Sequence, residues 1–225
     1  PLYTSWADAR ALLDGLPGGG LNIAHEAVDR HVAAGKGSRL AVRWLAKDGS
    51  TRDLTYADLQ TLANKFANVL AGLGIKRGGR VFSLLGRVPA LYAAVLGTWK
   101  AGAAFSPLFS AFGPEPARSR MEIGDARVLV TTAAFYKKKI APVRDALPGL
   151  RHILIVGDGA DNVPGGVALD EALAKASGDF KIVATKPSDT ALIHFTSGTT
   201  GKPKGAVHAH EAVVAHHVTG AYALD

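Results

Sequence analysis

No cysteine occurs in the 225 residues, and that removes two classes of protein at once. A disulfide framework and a thiolate metal centre both need thiols. No pair of histidines has the spacing of a zinc motif with a third ligand, so no metal site is expected. Long apolar runs are scarce too. The uncharged stretch Val88 to Trp99, bounded by Arg87 and Lys100, is too short for the roughly 20 residues that cross a bilayer. Asp8, Arg10 and Asp14 interrupt any apolar leader near the start, and Pro1 in place of an initiator Met suggests a trimmed chain. Acidic residues are in deficit, 19 against 26 Lys and Arg, for a formal net charge of +7. Such a balance implies anionic partners. Nucleic acid and small anions both satisfy it, but the cations are scattered rather than striped with aromatics. Lys137-Lys138-Lys139 reads as the single dense cluster. A soluble cytoplasmic protein with no membrane partner is the simplest expectation.

What is present is enough apolar content, 48%, for an ordinary globular core. Pro17-Gly18-Gly19-Gly20 ends a tether over residues 1–20, which Trp6, Leu12 and Leu13 are expected to dock. Asn22 reads as the N-cap of a short helix to about Ala34. Asp48-Gly49 between Leu40–Leu45 and Arg52–Leu54 predicts a hairpin. Thr55 and Asp58 predict a capping box. It opens a helix whose apolar positions Leu59, Leu62, Phe66, Val69, Leu70 and Leu73 recur three and four apart, closed by Gly74.

From there apolar runs alternate with helical patterns. Strands are expected at Arg80–Leu85, Ala103–Leu108, Arg127–Thr131, Ile153–Val156 and Ala191–Phe195. Helices are expected from Pro89 to Lys100, from Pro114 to Ile123, over at least part of Ala133–Leu147 with a break or kink at Pro142, around Leu169–Ala176, and from Glu211 onward. The pattern predicts an α/β fold, a mostly parallel sheet with helices on both faces. Ligands of such sheets bind at the carboxyl ends of the strands.

The last of those strands runs into Thr196-Ser197-Gly198-Thr199-Thr200-Gly201-Lys202-Pro203-Lys204-Gly205. Glycines let a backbone approach a ligand closely, hydroxyls add donors, and lysines add charge on flexible stems. Together these suit a polyphosphate. The run is not a Walker A loop, because only two residues separate Gly198 from Gly201 and Pro203 follows Lys202.

This loop resembles the phosphate-binding signature of the AMP-forming adenylate superfamily: acyl-CoA synthetases, luciferases and peptide-synthetase adenylation domains. Leu54-Thr55-Tyr56-Ala57-Asp58-Leu59 resembles a second signature, with Asp58 in a Glu position. Trp99-Lys100-Ala101-Gly102-Ala103 through Pro107 resembles a third. Both also have plain structural readings, a helix start and a helix-to-strand turn. Residues 21–31 are similar to the opening of acetate–CoA ligases. Phe105 to Glu115 resembles their coenzyme-A-side segment, with Ser110, Ala111 and Gly113 departing from the common bacterial form.

The resemblance implies that residues 21–225 are the first part of a large N-terminal adenylation domain, with the C-terminal lid domain absent. It implies activation of acetate, or another short-chain carboxylate, by ATP with Mg²⁺, and transfer of the acyl group to coenzyme A. Thr196, Ser197, Gly198, Thr199, Thr200, Gly201 and Lys202 would hold nucleotide phosphates, and Lys204 would act as the catalytic cation. Lys137 would face coenzyme A, and His208 and His210 would border the acyl pocket. The Mg²⁺ ligand belongs to later sequence. His194 reads as a packed core histidine. The chain alone is expected to be inactive and prone to self-association through an open sheet edge. Two alternatives stay open: a ligase for a medium-chain or aryl acid, and a non-catalytic anion- or nucleic-acid-binding module.

Overall fold

The computed structural model of the chain describes residues 5–197 and 202–223. Helix α1 (Trp6–Ala11) is capped by the Ser5 hydroxyl, which accepts from the Asp8 N–H. It is anchored through Ala9, which is fully buried, whereas Trp6 and Leu12 stay largely exposed. The backbone N–H groups of Asp14 and Gly15 donate to the buried Glu26 carboxylate, so residues 5–20 are held against the body. A helical run over residues 23–36, much of it with π-type turns, begins where the Asn22 side chain accepts from the Ala24 N–H.

Strands β1 (Leu40–Leu45) and β2 (Thr51–Thr55) pair antiparallel across the Asp48-Gly49 turn. Gly49 there has φ +84°, a conformation that L side chains resist. The capping box forms as expected. The Thr55 hydroxyl accepts from the Asp58 N–H, and the Asp58 carboxylate accepts from the Thr55 N–H. It opens α2 (Tyr56–Gly72), whose buried stripe is Leu59, Ala63, Phe66, Ala67 and Leu70, with Asn64 among them.

The main sheet follows: β3 (Arg80–Leu84), α3 (Pro89–Lys100), β4 (Ala104–Leu108), α4 (Pro114–Ile123), β5 (Val128–Thr131) and α5 (Ala133–Phe135). The helical path after Ala133 changes character at Pro142, as expected: a π-type run ends at Ile140 and a separate 3₁₀ run opens at Ala141–Ala146, with Pro142 in its first turn, where it needs no N–H partner. Then come β6 (His152–Ile155), β7 (Gly166–Ala168), α6 (Leu169–Lys175), β8 (Thr190–Thr196), β9 (Lys204–Ala209) and α7 (Ala212–Ala223).

The seven strands lie in the order β7-β6-β5-β3-β4-β8-β9. All pairs are parallel except β8–β9. Two of these strands escape the sequence reading. β7 is three residues long, and β9 has an exposed edge composition, so neither carries the apolar run that marks a buried strand. One face packs Val81, Phe105, Val128, Val130 and Leu154 under α2, α3 and α6. The other packs Phe82, Leu84, Leu129, Ile153 and Ile155 under α4 and the helical turns after β5. A third cluster joins the 23–36 helix, the hairpin and α2 through Ala24, Val28, Leu54, Leu59, Ala63 and Leu96.

The chain reaches β8 from the far edge by an irregular crossing over residues 176–189. Asn64 and Asn68 of α2 hold it by donating to the carbonyls of Gly178, Ser177 and Asp179. The Val183 N–H donates to the Lys100 carbonyl. Lys100 is itself a buried staple: its ammonium lies 2.6 Å from the Asp29 carboxylate and 2.7 Å from Asn64 Oδ1. Burial holds its pKa below the ordinary lysine value, with Asp29 opposing that shift. The third signature is thus structural at Lys100.

Candidate functional site

Six parallel strands, β3 to β8, have their carboxyl ends on one edge of the sheet. The β4–β8 ladder is the weak seam. Its register is a single pair, Phe105 with Leu192, supported by the Ser106 hydroxyl donating to the Ile193 carbonyl at 2.8 Å. Pro107, two residues on, brings no N–H to extend it. The seam leaves a crevice at the carboxyl ends, where ligands of open α/β sheets sit.

The glycine- and hydroxyl-rich loop joins β8 to β9 at that place. Thr196, the last residue of β8, pairs in register with Lys204, the first of β9. Thr196, Ser197, Lys202 and Lys204 are all exposed. Neither lysine has an acidic partner among the described residues. Gly198, Thr199, Thr200 and Gly201 lie outside the described residues.

The structure separates the histidines. On β9, His208 stands opposite Leu192, four residues from Lys204, or about 13 Å along a strand. Its ring meets that of His194 edge-on, with centroids 6.5 Å apart. His194 is exposed, which corrects the expectation of a packed core residue; β9 covers the flank of β8 but not this side chain. His210 lies past the other end of β9 and is fully buried. Its Nδ1 accepts from the Ile23 N–H at 3.2 Å, so the proton of the neutral ring sits on Nε2, which finds no partner. Burial is the main cause that lowers its pKa to about 4; Arg77 adds to the shift and Asp189 opposes it. His210 is therefore not brought together with the loop.

The lysine triplet is also divided. Lys139 is buried, with its ammonium donating to the Ser110 carbonyl and lying 4.7 Å from the Phe135 ring centroid. Lys137 and Lys138 remain exposed beside the Phe109–Gly113 segment that Lys139 ties down. In that segment Phe112 contacts Phe109 edge-on and carries the Arg120 guanidinium 4.3 Å above its ring. Arg120 also donates to the Pro116 carbonyl. Sequence reading missed this Arg120–Phe112 brace, because nothing in the spacing of α4 marks one arginine as inward-facing.

Among the described residues no three His, Asp or Glu side chains gather as a metal site, and no helix is long and apolar enough to cross a membrane.

A doubly covered, mostly parallel sheet with a phosphate-type loop at the carboxyl end of an inner strand defines an α/β nucleotide-handling domain. Comparison with known proteins narrows this. The profile of the AMP-binding enzyme family matches residues 29–224, and the chain belongs to that family. It is 36% identical to an acetyl-coenzyme A synthetase of Bacillus subtilis (strain 168) over 225 residues, which is 99% of this chain and 38% of the relative. It is 34% identical to one from Methanothrix thermoacetophila, covering 92% of this chain and 34% of the relative. The crystal structure of a Brucella canis acyl-CoA synthetase matches with TM-score 0.83 and 33% identity, over 94% of this chain and 37% of that one. An anthranilate CoA ligase in complex with anthranoyl-AMP matches with TM-score 0.77 at 24% identity, over 92% of this chain and 36% of that one; that likeness concerns the fold alone. The chain spans less than two fifths of the length of each.

Proposed function

We propose that this chain serves an AMP-forming ligase that activates acetate, or another short-chain carboxylate, with ATP and passes the acyl group to coenzyme A. The observation that carries the reading is the placement of the Thr196–Gly205 loop at the carboxyl end of β8, beside the β4–β8 seam. The names of the similar synthetases support the acetate reading. In the first step the carboxylate attacks the α-phosphate, giving acyl-AMP and pyrophosphate. In the second the coenzyme A thiol displaces AMP.

The first step moves negative charge onto the departing pyrophosphate, so fixed cations and donors count most there. Lys204 and Lys202 supply unpaired charge, and Thr196 and Ser197 supply hydroxyls. Gly198, Thr199, Thr200 and Gly201 would add backbone and hydroxyl donors. Lys137, exposed beside the braced Phe109–Gly113 segment, would meet the nucleotide end of coenzyme A. His208, on the Leu192 face of the β8–β9 pair, would border the acyl pocket, whereas His210, buried against Ile23 past the far end of β9, would serve packing. The described residues do not form a protein cage for Mg²⁺; the ion would arrive on the nucleotide phosphates.

The test is ATP–pyrophosphate exchange by the full-length gene product with acetate, propionate, octanoate or benzoate. Acetate should give a kcat/KM at least tenfold above benzoate. A preference for benzoate would move the chain to an aryl-acid branch. No exchange with any acid, together with DNA binding that falls steeply with salt, would favour a binding module instead.

A further inference from the structure

A second concave surface, a cavity of about 720 Å³, runs from the amino ends of β3, β5 and β6 across one face of the sheet to Phe195 of β8 and Gly205 of β9. Lys76, Arg77, Arg80, Arg127 and Arg151 line it, with Asp125 the single carboxylate. These five residues lie in three separate stretches of sequence, which is why the chain read linearly shows no such cluster. Two of the cations are committed. Arg77 pairs with Asp189, and Arg127 pairs with Asp125 at 2.8 Å. Lys76, Arg80 and Arg151 have no acidic partner among the described residues. Three unpaired cations facing one concavity repel one another, and a bound anion relieves that repulsion.

The same cavity has an apolar wall. Ile193 and Phe195 of β8 and Val207 of β9 form it on one side, and Ile123 at the end of α4 faces them. Val207 and Ile123 are 62% and 55% exposed, so these surfaces stand open to a ligand. A binding site of a few hundred Å³, mostly apolar with a few convergent charged groups, is the ordinary form of a small-molecule pocket. Arginine forks match phosphate oxygens in pairs.

We propose that this groove binds an organic phosphate monoester, its dianionic head between Lys76, Arg80 and Arg151 and its apolar body against Ile193, Phe195 and Val207. Nucleic acid fits less well, because a concave pocket with one apolar wall does not track a phosphate backbone. The cationic head site lies at the amino ends of the strands, away from Lys204, although the apolar wall reaches Gly205, and the proposal does not depend on the ligase reading.

The test is calorimetric titration of the full 225-residue chain with 1-naphthyl phosphate, 1-naphthol and inorganic phosphate. Saturable binding of 1-naphthyl phosphate is expected, at least tenfold tighter than either half-ligand. The double variant Lys76→Gln/Arg151→Gln should weaken it at least tenfold. Both side chains are exposed, so the thermal midpoint should not move, and a separate Val207→Ser variant probes the apolar wall. That variant should weaken 1-naphthyl phosphate and leave inorganic phosphate unchanged. Absence of binding by the unmodified chain would overturn the proposal, and so would full affinity in the double variant.

Discussion

Replacing His210 by Asn should flatten the acid side of the stability curve. The imidazole is fully buried, accepts the Ile23 N–H through Nδ1 and leaves Nε2 without a partner. Asn at this position keeps a carbonyl acceptor for the Ile23 N–H and does not titrate, but its amide brings buried N–H donors of its own. At pH 7 the unpartnered donor is therefore exchanged rather than removed. Loss of part of the ring costs about 1–2 kcal/mol in packing. His210→Asn should be less stable than the unmodified chain by about that amount at neutral pH.

Acid closes that difference. In the unfolded chain His210 takes up a proton near its ordinary pKa of 6.5, whereas in the folded protein it resists until about 4. Between those values unfolding binds a proton, so stability is fully present above 6.5 and falls as the pH drops. The whole gap corresponds to about 3 kcal/mol, of which roughly 2.5 is spent by pH 4.5. His31, whose pKa is also lowered, first by burial and then by Arg30 and Lys36, adds a loss of the same sign. Both proteins share that term, so the comparison cancels it. Carboxylates held below their usual range, such as Asp58 and Asp189, begin to lose their contribution only nearer pH 4 and below. The assay is guanidinium unfolding followed by the fluorescence of the three tryptophans, repeated from pH 7 to 4.5. The unmodified chain should lose about 2–3 kcal/mol more than His210→Asn over that range. Parallel curves would refute the burial argument.

Gly97→Ala should destabilise by about 1–3 kcal/mol, because a Cβ there would meet the Ala63 carbonyl and Phe66 Cβ, each at 2.7 Å; thermal unfolding reads it. Lys100→Ala should cost about 3–5 kcal/mol by stranding Asp29, and the double variant Lys100→Met/Asp29→Leu should recover much of it in the same measurement. In the full-length enzyme, Lys204→Ala should slow acetate-dependent ATP–pyrophosphate exchange roughly 100-fold, mainly in turnover, and exchange at the normal rate would remove the loop from the mechanism. Lys137→Glu should raise the apparent KM for coenzyme A and leave that exchange unchanged; an unaltered KM would leave Lys137 a surface residue.

Sequence made some parts of this molecule plain and hid others, for physical reasons. The capping box at Thr55–Asp58 and the buried runs of β3 to β6 are local signals, so they could be read directly. β9 could not, since an exposed edge strand carries no apolar run, and its antiparallel return is settled only by pairing with β8. The burial stripe of α2 was read through its large residues, yet Ala63 and Ala67 sit at its centre. They are small because α3 approaches there, and only the tertiary contact explains them. His194 and His208 look alike in sequence but differ from His210 by where β9 ends. Two residues beyond the half-buried His208, just past the end of β9, His210 reaches full burial.

The two ends of the sheet divide the charge in a way that composition could not foretell. At the carboxyl ends the loop sequence offers hydroxyl residues, glycines and two lysines on flexible stems, a set that under the proposed function would follow a phosphate group through a change of charge. At the amino ends the cations are mostly arginines on short connections next to an apolar wall, a set suited to holding one anion still. A net charge of +7 is compatible with either arrangement or with a diffuse basic surface. Topology decides among them. Parallel strands send Lys204 and Thr196 to one edge, and the returns from α2, α4 and the turns after α5 deliver Lys76, Arg127 and Arg151 to the other. A variant that removes cations from one edge should leave the phosphate affinity of the other intact, because a sheet length of five residues, about 16 Å, exceeds the roughly 8 Å screening length at physiological salt.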